Sequence, residues 1–310
     1  MAQRLIRTII VAGLCIIAGA GRGGAPAGAG ERPPIKSEAA AFQIGLIPER
    51  NIFKQIERYR PIADYLSAQI GLPVKLRILT QYGNIIDNFI SLGLDAAFFG
   101  SFTYALAHAE IGVQAIVRPE DHMGISCYHG LIFTRKDSGI SGIVDMKGKT
   151  FAFVDRATTA GYLLPLAYFK ENGVRDYQTF FKETYYTGTH EDVIRDVLNQ
   201  KADIGAAKNT VFFSMAEKDS RITTELTVLK RSPDVPENGL AVRKDLDSAL
   251  KARIKQVLLA MHTDPVGVKV LKSFGARGFI ETTDRDYINV LQYVQQSGLD
   301  ISAYRSSGDR

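Results

Sequence analysis

The sequence predicts an α/β protein made of two βαβ lobes joined by a two-strand hinge, with a ligand cleft between the lobes. Three observations lead there. From Phe42 onward, strand-like and helix-like segments alternate, as in βαβ units around a mostly parallel sheet. The pattern then occurs a second time, and its clearest trace is the echo between "NFISLGLDAAFFG" and "DVLNQKADIGAA": helix, short turn, Asp, apolar strand. Finally, "GLIFTRKD" (130–137) and "GLAVRKD" (239–245) resemble each other and bracket the second block, so the chain leaves the first lobe after one and has returned by the other. Two such crossings make a hinge suited to closure about a ligand.

The elements follow in order. "FQIGLI" (42–47) is a strand, and 52–70 has helical spacing interrupted by Pro61. "VKLRIL" (74–79) is a second strand, 83–93 a helix closed by Gly93, and "DAAFFG" (95–100) a short buried strand. In the second block, 150–155 is a strand, 159–172 a helix ending near Gly173, 181–188 a strand, 190–201 a helix and 202–207 a strand. Helices over 246–262 and 284–297 are expected to pack on the first lobe. The boundaries that result are 42–136 and 234–310 for the first lobe and 137–233 for the second.

The N-terminus reads as an export signal over 1–20: Arg4 and Arg7, an apolar run, then Ala18-Gly19-Ala20 for cleavage. Leu14 before Cys15 fits lipid modification poorly, so no anchor is expected there. The Gly/Ala/Pro-rich stretch 21–41 reads as a tether. With the leader removed, Cys127 is the one remaining cysteine and no intramolecular disulfide can form. A chain of 310 residues, 45% hydrophobic, can instead hold two lobes together by their cores. Its formal charge of +5 is mild and spread along the chain, which argues against a nucleic-acid surface and is compatible with a small anionic ligand.

In open parallel sheets, ligands sit beyond the carboxyl ends of strands. That rule selects 47–51, 80–84 and 99–104 in the first lobe, and 155–161, 187–192 and "AAKNT" (206–210) in the second. Hydroxyl, amide and imidazole donors recur in them: Ser101, Thr158, Thr159, His190 and Asn209. Free N–H groups at a helix start favour an anion, and Thr158 or Thr159 adds hydroxyls. Each also has a plainer explanation, as a helix cap or a solvated surface residue. Thr189 with Asp192 resembles a capping box that would fix the turn holding His190. Tyr82 and Tyr128 are either packing residues or ligand contacts. If 126–134 is a strand, Cys127 and His129 share the face opposite Tyr128, so either Tyr128 or that pair looks into the cleft.

The stretch "FVDRATTAGYLLP" (153–165) looks like an anion cradle, yet it has no lysine and is not a P-loop. Neutral donors and a helix start would let a carrier release its anion. Pro165 falls inside the expected helix and should remove a backbone hydrogen bond or kink it. No Ser/His/Asp order, metal-ligand spacing or Walker loop points to catalysis, a metal or a cofactor.

Taken together, "QYGNIIDNF", "DAAFFGSFTYALAHA", "YHGLIFTRKDSGI", "FVDRATTAGYLLPLAYF", "GTHEDVI", "GAAKNTVF" and "SPDVPENGLAVRKDL" resemble the phosphate/phosphite/phosphonate-binding proteins of ABC importers, over about residues 42 to 300. The resemblance implies a type II periplasmic binding protein fold, monomeric and without enzymatic activity. It would close on a phosphorus oxyanion and deliver it to an ABC permease and its ATPase. It implies gripping hydroxyls at Thr158 and Thr159, Ala160 where some members have a third hydroxyl, an oxyanion-contacting His190, and cleft tyrosines at Tyr82 and Tyr128. Members that bind aminoalkylphosphonates carry acidic residues where this chain has Val211 and Asn238, although neighbouring Glu237 offers a substitute. Phosphate, phosphite or a small alkylphosphonate is therefore expected over 2-aminoethylphosphonate. An anion sensor of the same fold is the first alternative, and an enzyme such as a thiamine-precursor synthase the second.

Overall fold

A computed structural model describes residues 41–49, 51–79 and 85–299. The expected leader, the tether up to residue 40, Cys15 and Tyr82 lie outside the described residues.

The chain runs β1 (Phe42–Leu46), α1 (Ile52–Ile70), β2 (Val74–Ile78), α2 (Ile85–Ser91), β3 (Ala96–Phe99), α3 (Ser101–Ile111) and β4 (Gln114–Glu120). Then come β5 (Cys127–Tyr128), β6 (Gly130–Arg135), β7 (Thr150–Phe153), a π-helical turn (Thr159–Leu163) and α4 (Leu164–Glu171). They are followed by α5 (Tyr177–Phe180), β8 (Glu183–Tyr186), α6 (His190–Leu198), β9 (Ile204–Lys208), α7 (Asn209–Ala216), α8 (Arg221–Glu225) and β10 (Leu226–Arg231). The return comprises β11 (Val235–Pro236), β12 (Gly239–Val242), α9 (Ser248–Ala260), α10 (Pro265–Phe274), β13 (Gly278–Glu281) and α11 (Ile288–Ser297).

Two sheets organise these elements. The first has the order β13-β4-β12-β3-β1-β2, the second β10-β6-β9-β7-β8. Read from β2 and from β8, both begin on one plan: second strand, first, third, a crossing strand, then one more, to which the first sheet adds β13 at its edge. The three strands of each βαβαβ block are parallel, as their helical crossovers require. The crossing strands β12 and β6 insert antiparallel beside β3 and β9. Both sheets are therefore mixed, where the sequence suggested mostly parallel ones: a strand arriving from the other lobe enters from the opposite end.

That topology also moves one boundary. The strand Gly130–Arg135, expected in the first lobe, pairs with β9 and β10 and belongs to the second sheet. The first crossing is therefore β5, which pairs antiparallel with β11 of the return crossing. Five of the six residues of β6 are buried, so no alternation marked which sheet it joins.

Capping explains several element ends. Asn51 caps α1 by accepting from Phe53 N–H at 3.1 Å, and Gly71 closes that helix in the left-handed region. Helix α1 runs through Pro61 without a break. One apolar cluster joins β1, α1, α9 and α10, including Tyr59, Phe98, Phe274 and Phe279. A second extends from Phe99 and Phe102 of the first lobe to Val154, Leu163 and Phe212 of the second. Helix α11 supplies Val290 and Val294 to this shared cluster and packs against both α3 and α4. It thus straddles the lobes, where the sequence placed it on the first lobe alone.

Candidate functional site

The second-lobe jaw begins where β7 ends. The Asp155 carbonyl accepts from Thr158 N–H at 3.0 Å and from Thr158 Oγ1 at 2.6 Å, while its carboxylate accepts from Ala157 N–H at 2.8 Å. The chain then enters a π-turn, with Leu163 N–H donating to the Thr158 carbonyl at 3.1 Å and Leu164 N–H to that of Thr159. Pro165 makes this wide turn intelligible. In an α-helix the residue four after Gly161 would donate to the Gly161 carbonyl, and proline has no N–H to give. Here that carbonyl accepts from Val154 N–H at 3.3 Å instead. Only a glycine allows so close an approach, because a Cβ on Gly161 would lie 2.4 Å from Val154 Cγ2.

The first lobe answers from the start of α3. Phe102 N–H donates to Thr159 Oγ1 at 2.9 Å, across the cleft. Ser101, fully buried, donates to the Pro236 carbonyl at 2.5 Å. Tyr128 comes from the outgoing crossing, and its hydroxyl bonds to the side chains of Thr159 and Ser101. Burial raises its phenol pKa against the opposing pull of Lys208 and those two hydroxyls, so it stays protonated and can donate.

His190 opens α6, held by the expected cap: Thr189 Oγ1 accepts from Asp192 N–H at 3.1 Å. Its Nδ1 accepts from Lys208 N–H at 3.2 Å, which leaves the proton of the neutral ring on Nε2 and makes that nitrogen a donor. Ser101, Tyr128, Thr158, Thr159, Ala160 and His190 are each no more than 4% exposed. Thr159, Ser101 and Tyr128 meet through hydrogen bonds between the lobes; Thr158 and Ala160 flank Thr159 in the chain, and His190 is tied to the group through Lys208.

The remaining three fare differently. Tyr82 is outside the described residues. Asn209 lends its carboxamide oxygen to His129 N–H at 3.1 Å, fastening the crossing strand to α7. The Glu237 carboxylate bonds Lys208 Nζ and accepts from Asn238 N–H. Cys127 and His129 turn away from the cleft together, and both reach Asp234, the thiol at 3.6 Å and the imidazole Nδ1 at 3.2 Å. Burial and the Asp234 carboxylate push the Cys127 thiol pKa up.

Lys208, inside the loop 206–210, was not among the expected site residues. This lysine is 3% exposed at the end of β9. Its ammonium bonds Glu49 at 3.0 Å, Glu237, and the Asn238 carboxamide oxygen at 3.3 Å, and lies 4.2 Å from the centroid of the Tyr128 ring. Burial lowers its pKa, but the charges of Glu237 and Glu49 outweigh that and hold it above the ordinary lysine value. Burial likewise raises Glu49, and the charges of Lys208 and Arg58, with the hydrogen bond from Lys208, overcome it, bringing the carboxyl from 4.5 to about 2. Gln55 of α1 aims that carboxylate by accepting from Glu49 N–H at 3.1 Å and donating to the Ile47 carbonyl. The expectation of a cleft built from neutral donors is therefore corrected: a lysine stands in it. The available signal was the run Ile204–Lys208, four buried residues followed by a lysine on a central strand, where an uncompensated charge would not be tolerated.

Residues 44–287 match the family model described as ABC transporter, phosphonate, periplasmic substrate-binding protein. The chain belongs to this family. Among relatives of this phosphonate-binding family, it is 21% identical to a probable ABC transporter phosphite binding protein, PhnD1, from Prochlorococcus marinus strain MIT 9301 (83% of this chain, 90% of the relative). It is 25% identical to a phosphate-import protein, PhnD, of Mycolicibacterium smegmatis (88% and 92%). Among solved structures, a binding protein component of an ABC phosphonate transporter from Pseudomonas aeruginosa superposes with a TM-score of 0.75 at 21% identity, over 86% of this chain and 94% of that one. PhnD1 of P. marinus in complex with methylphosphonate gives 0.74 at 20% identity, over 83% and 98%. These likenesses show the type II periplasmic binding protein fold. Among the described residues, no helix is long and apolar enough to cross a membrane.

Proposed function

We propose that this protein captures a small phosphorus oxyanion (phosphonate, phosphite or phosphate) between its lobes and hands it to an ABC permease driven by its ATPase. In this reading it works as an exported monomer in the periplasm. The observation that carries the reading is the buried meeting of polar groups from both lobes: Thr159 from the second, Ser101 and Phe102 N–H from the first and Tyr128 from the hinge, with His190 tied to them through Lys208. The relatives named for phosphite and phosphate, and the neighbour holding methylphosphonate, point to the same ligand chemistry.

The anion docks on the π-turn and on His190, and closure brings Ser101, Phe102 N–H and Tyr128 against it. These groups hydrogen-bond one another across the cleft, so the ligand takes their place as common partner. Bonds to charged oxygens in a water-poor site are stronger than the neutral ones they replace. A ligand that prefers one arrangement of the lobes stabilises it, and a permease can recognise that shape.

The test is ligand-dependent melting of the purified chain with phosphate, phosphite and methylphosphonate. At a hundredfold excess over Kd, a bound ligand adds about 2.7 kcal/mol, a rise of roughly 5–10 °C in Tm for a protein of this size. At least one of the three should give it, and Thr159→Ala with His190→Ala should abolish it. No response to any of them would sink the reading.

A further inference from the structure

The surroundings of Lys208 are those of an ammonium receptor. Two carboxylate groups (Glu49, Glu237), a carboxamide oxygen (Asn238) and the face of an aromatic ring (Tyr128) enclose one position. Carboxylates and carbonyls satisfy ammonium hydrogens, and an aromatic face attracts the same charge. The occupant of that receptor is the chain's own side chain. The box is also next to the oxyanion donors: Tyr128 turns its ring face to the ammonium and its hydroxyl to Thr159 and Ser101, while Lys208 N–H bonds His190. A single phenol ring separates the two subsites. Asn238, 4% exposed, keeps its amide nitrogen Nδ2 without a partner among the described residues, one more buried donor on the same carboxamide.

We propose that Lys208 is a specificity-determining residue, a tethered ammonium that fills the subsite beside the oxyanion donors. The protein then takes oxyanions bearing a small uncharged substituent and rejects those bearing an ammonium tail. The proposal rests on the oxyanion reading above and goes further, because it names what selects the substituent. A tail ammonium would have to displace Lys208 from two carboxylates and leave a buried cation unpaired, which makes the exclusion strong. Lys208 has a second effect on the same ligand: it offsets two carboxylates that would otherwise repel a dianion one ring away.

Removing the ammonium should therefore move two affinities in opposite directions. Calorimetric titration of the full chain with methylphosphonate and 2-aminoethylphosphonate compares two ligands with the same head and different tails. The unmodified protein should prefer methylphosphonate by about 100-fold or more. In Lys208→Ala, 2-aminoethylphosphonate should gain affinity and methylphosphonate lose it, bringing the ratio to within about 10-fold. The double variant Lys208→Met/Glu237→Gln removes one charge of each sign and retains Glu49, so it keeps the net charge of the box should the single variant fold poorly. It should lose the same discrimination.

An unmodified protein that binds both ligands alike, or a ratio unchanged in both variants, overturns the proposal while methylphosphonate binding leaves the oxyanion reading standing. If the unmodified chain binds no phosphorus oxyanion at all, both fall together.

Discussion

Gly161 shows how much one missing side chain can arrange. Its carbonyl takes the N–H of Val154, and its bare Cα lets the π-turn lie against the end of β7, placing Thr158 and Thr159 at the cleft. In Gly161→Ala the new methyl would sit 2.4 Å from Val154 Cγ2 and 2.5 Å from its Cβ, so strand and turn must part. Overpacking of this kind costs about 1–3 kcal/mol, and the melting temperature should drop by roughly 2–10 °C. An unchanged melt would show that the close approach is absent in solution. The hydroxyls of this jaw and the turn capped by Thr189 were legible in the sequence because each rests on neighbours in the chain. Lys208 was not, since its partners Glu49, Glu237 and Asn238 come from the other lobe and the hinge.

At the scale of the element, the π-turn turns an anomaly into a device. Pro165 looked like a fault in a helix; it withholds the N–H that would draw residues 159–163 into α-helical register. In Pro165→Ala that N–H returns and competes with Val154 for the Gly161 carbonyl. Stability should change by less than about 1 kcal/mol, since one backbone hydrogen bond replaces another and the chain gains some unfolded-state freedom. Affinity for methylphosphonate should nevertheless fall severalfold as the threonines shift. Calorimetry read beside a thermal melt separates the two effects, and full affinity in the variant would dismiss the register role. The long helix 52–70 and the short buried strands were visible from periodicity. Among the elements missed were β4, β10, β13, α3, α7 and α10, as was the sheet to which β6 belongs. Those depend on which partner a buried strand finds, which periodicity does not encode.

Over the whole molecule, the two sheets share a strand order and exchange crossing strands, so each lobe is completed by chain that has visited the other. Closure is fastened by Glu49 of the first lobe on Lys208 of the second. Because the folded Glu49 pKa, about 2, lies below its ordinary 4.5, the ionised carboxylate, held by Lys208 and Arg58, stabilises the folded protein against the unfolded chain above about pH 4.5. The contribution fades as pH falls from there towards 2, and amounts in full to roughly 3 kcal/mol. Small-angle scattering from pH 7 to 2.5 should show a constant radius of gyration down to about pH 4.5 and expansion below it. Glu49→Gln should lack the part of that transition due to this pair; a variant with the same acid profile as the parent would refute the latch.

By itself the sequence determined that this is a two-lobed α/β chain with an anion-suited turn at Thr158 and Thr159, because alternation, capping and turn chemistry act over a few residues. Tertiary structure alone decided that Tyr128 lays its ring against Lys208 while Cys127 and His129 meet Asp234, that Pro165 shapes a π-turn, and that a buried lysine sits in the cleft. The physical reason is common to all three. Each depends on a partner distant in the chain: Lys208 behind Tyr128, Val154 against Gly161, and Glu49 and Glu237 around Lys208. "FVDRATTAGYLLP" could announce a jaw, but not the charged box that stands beside it.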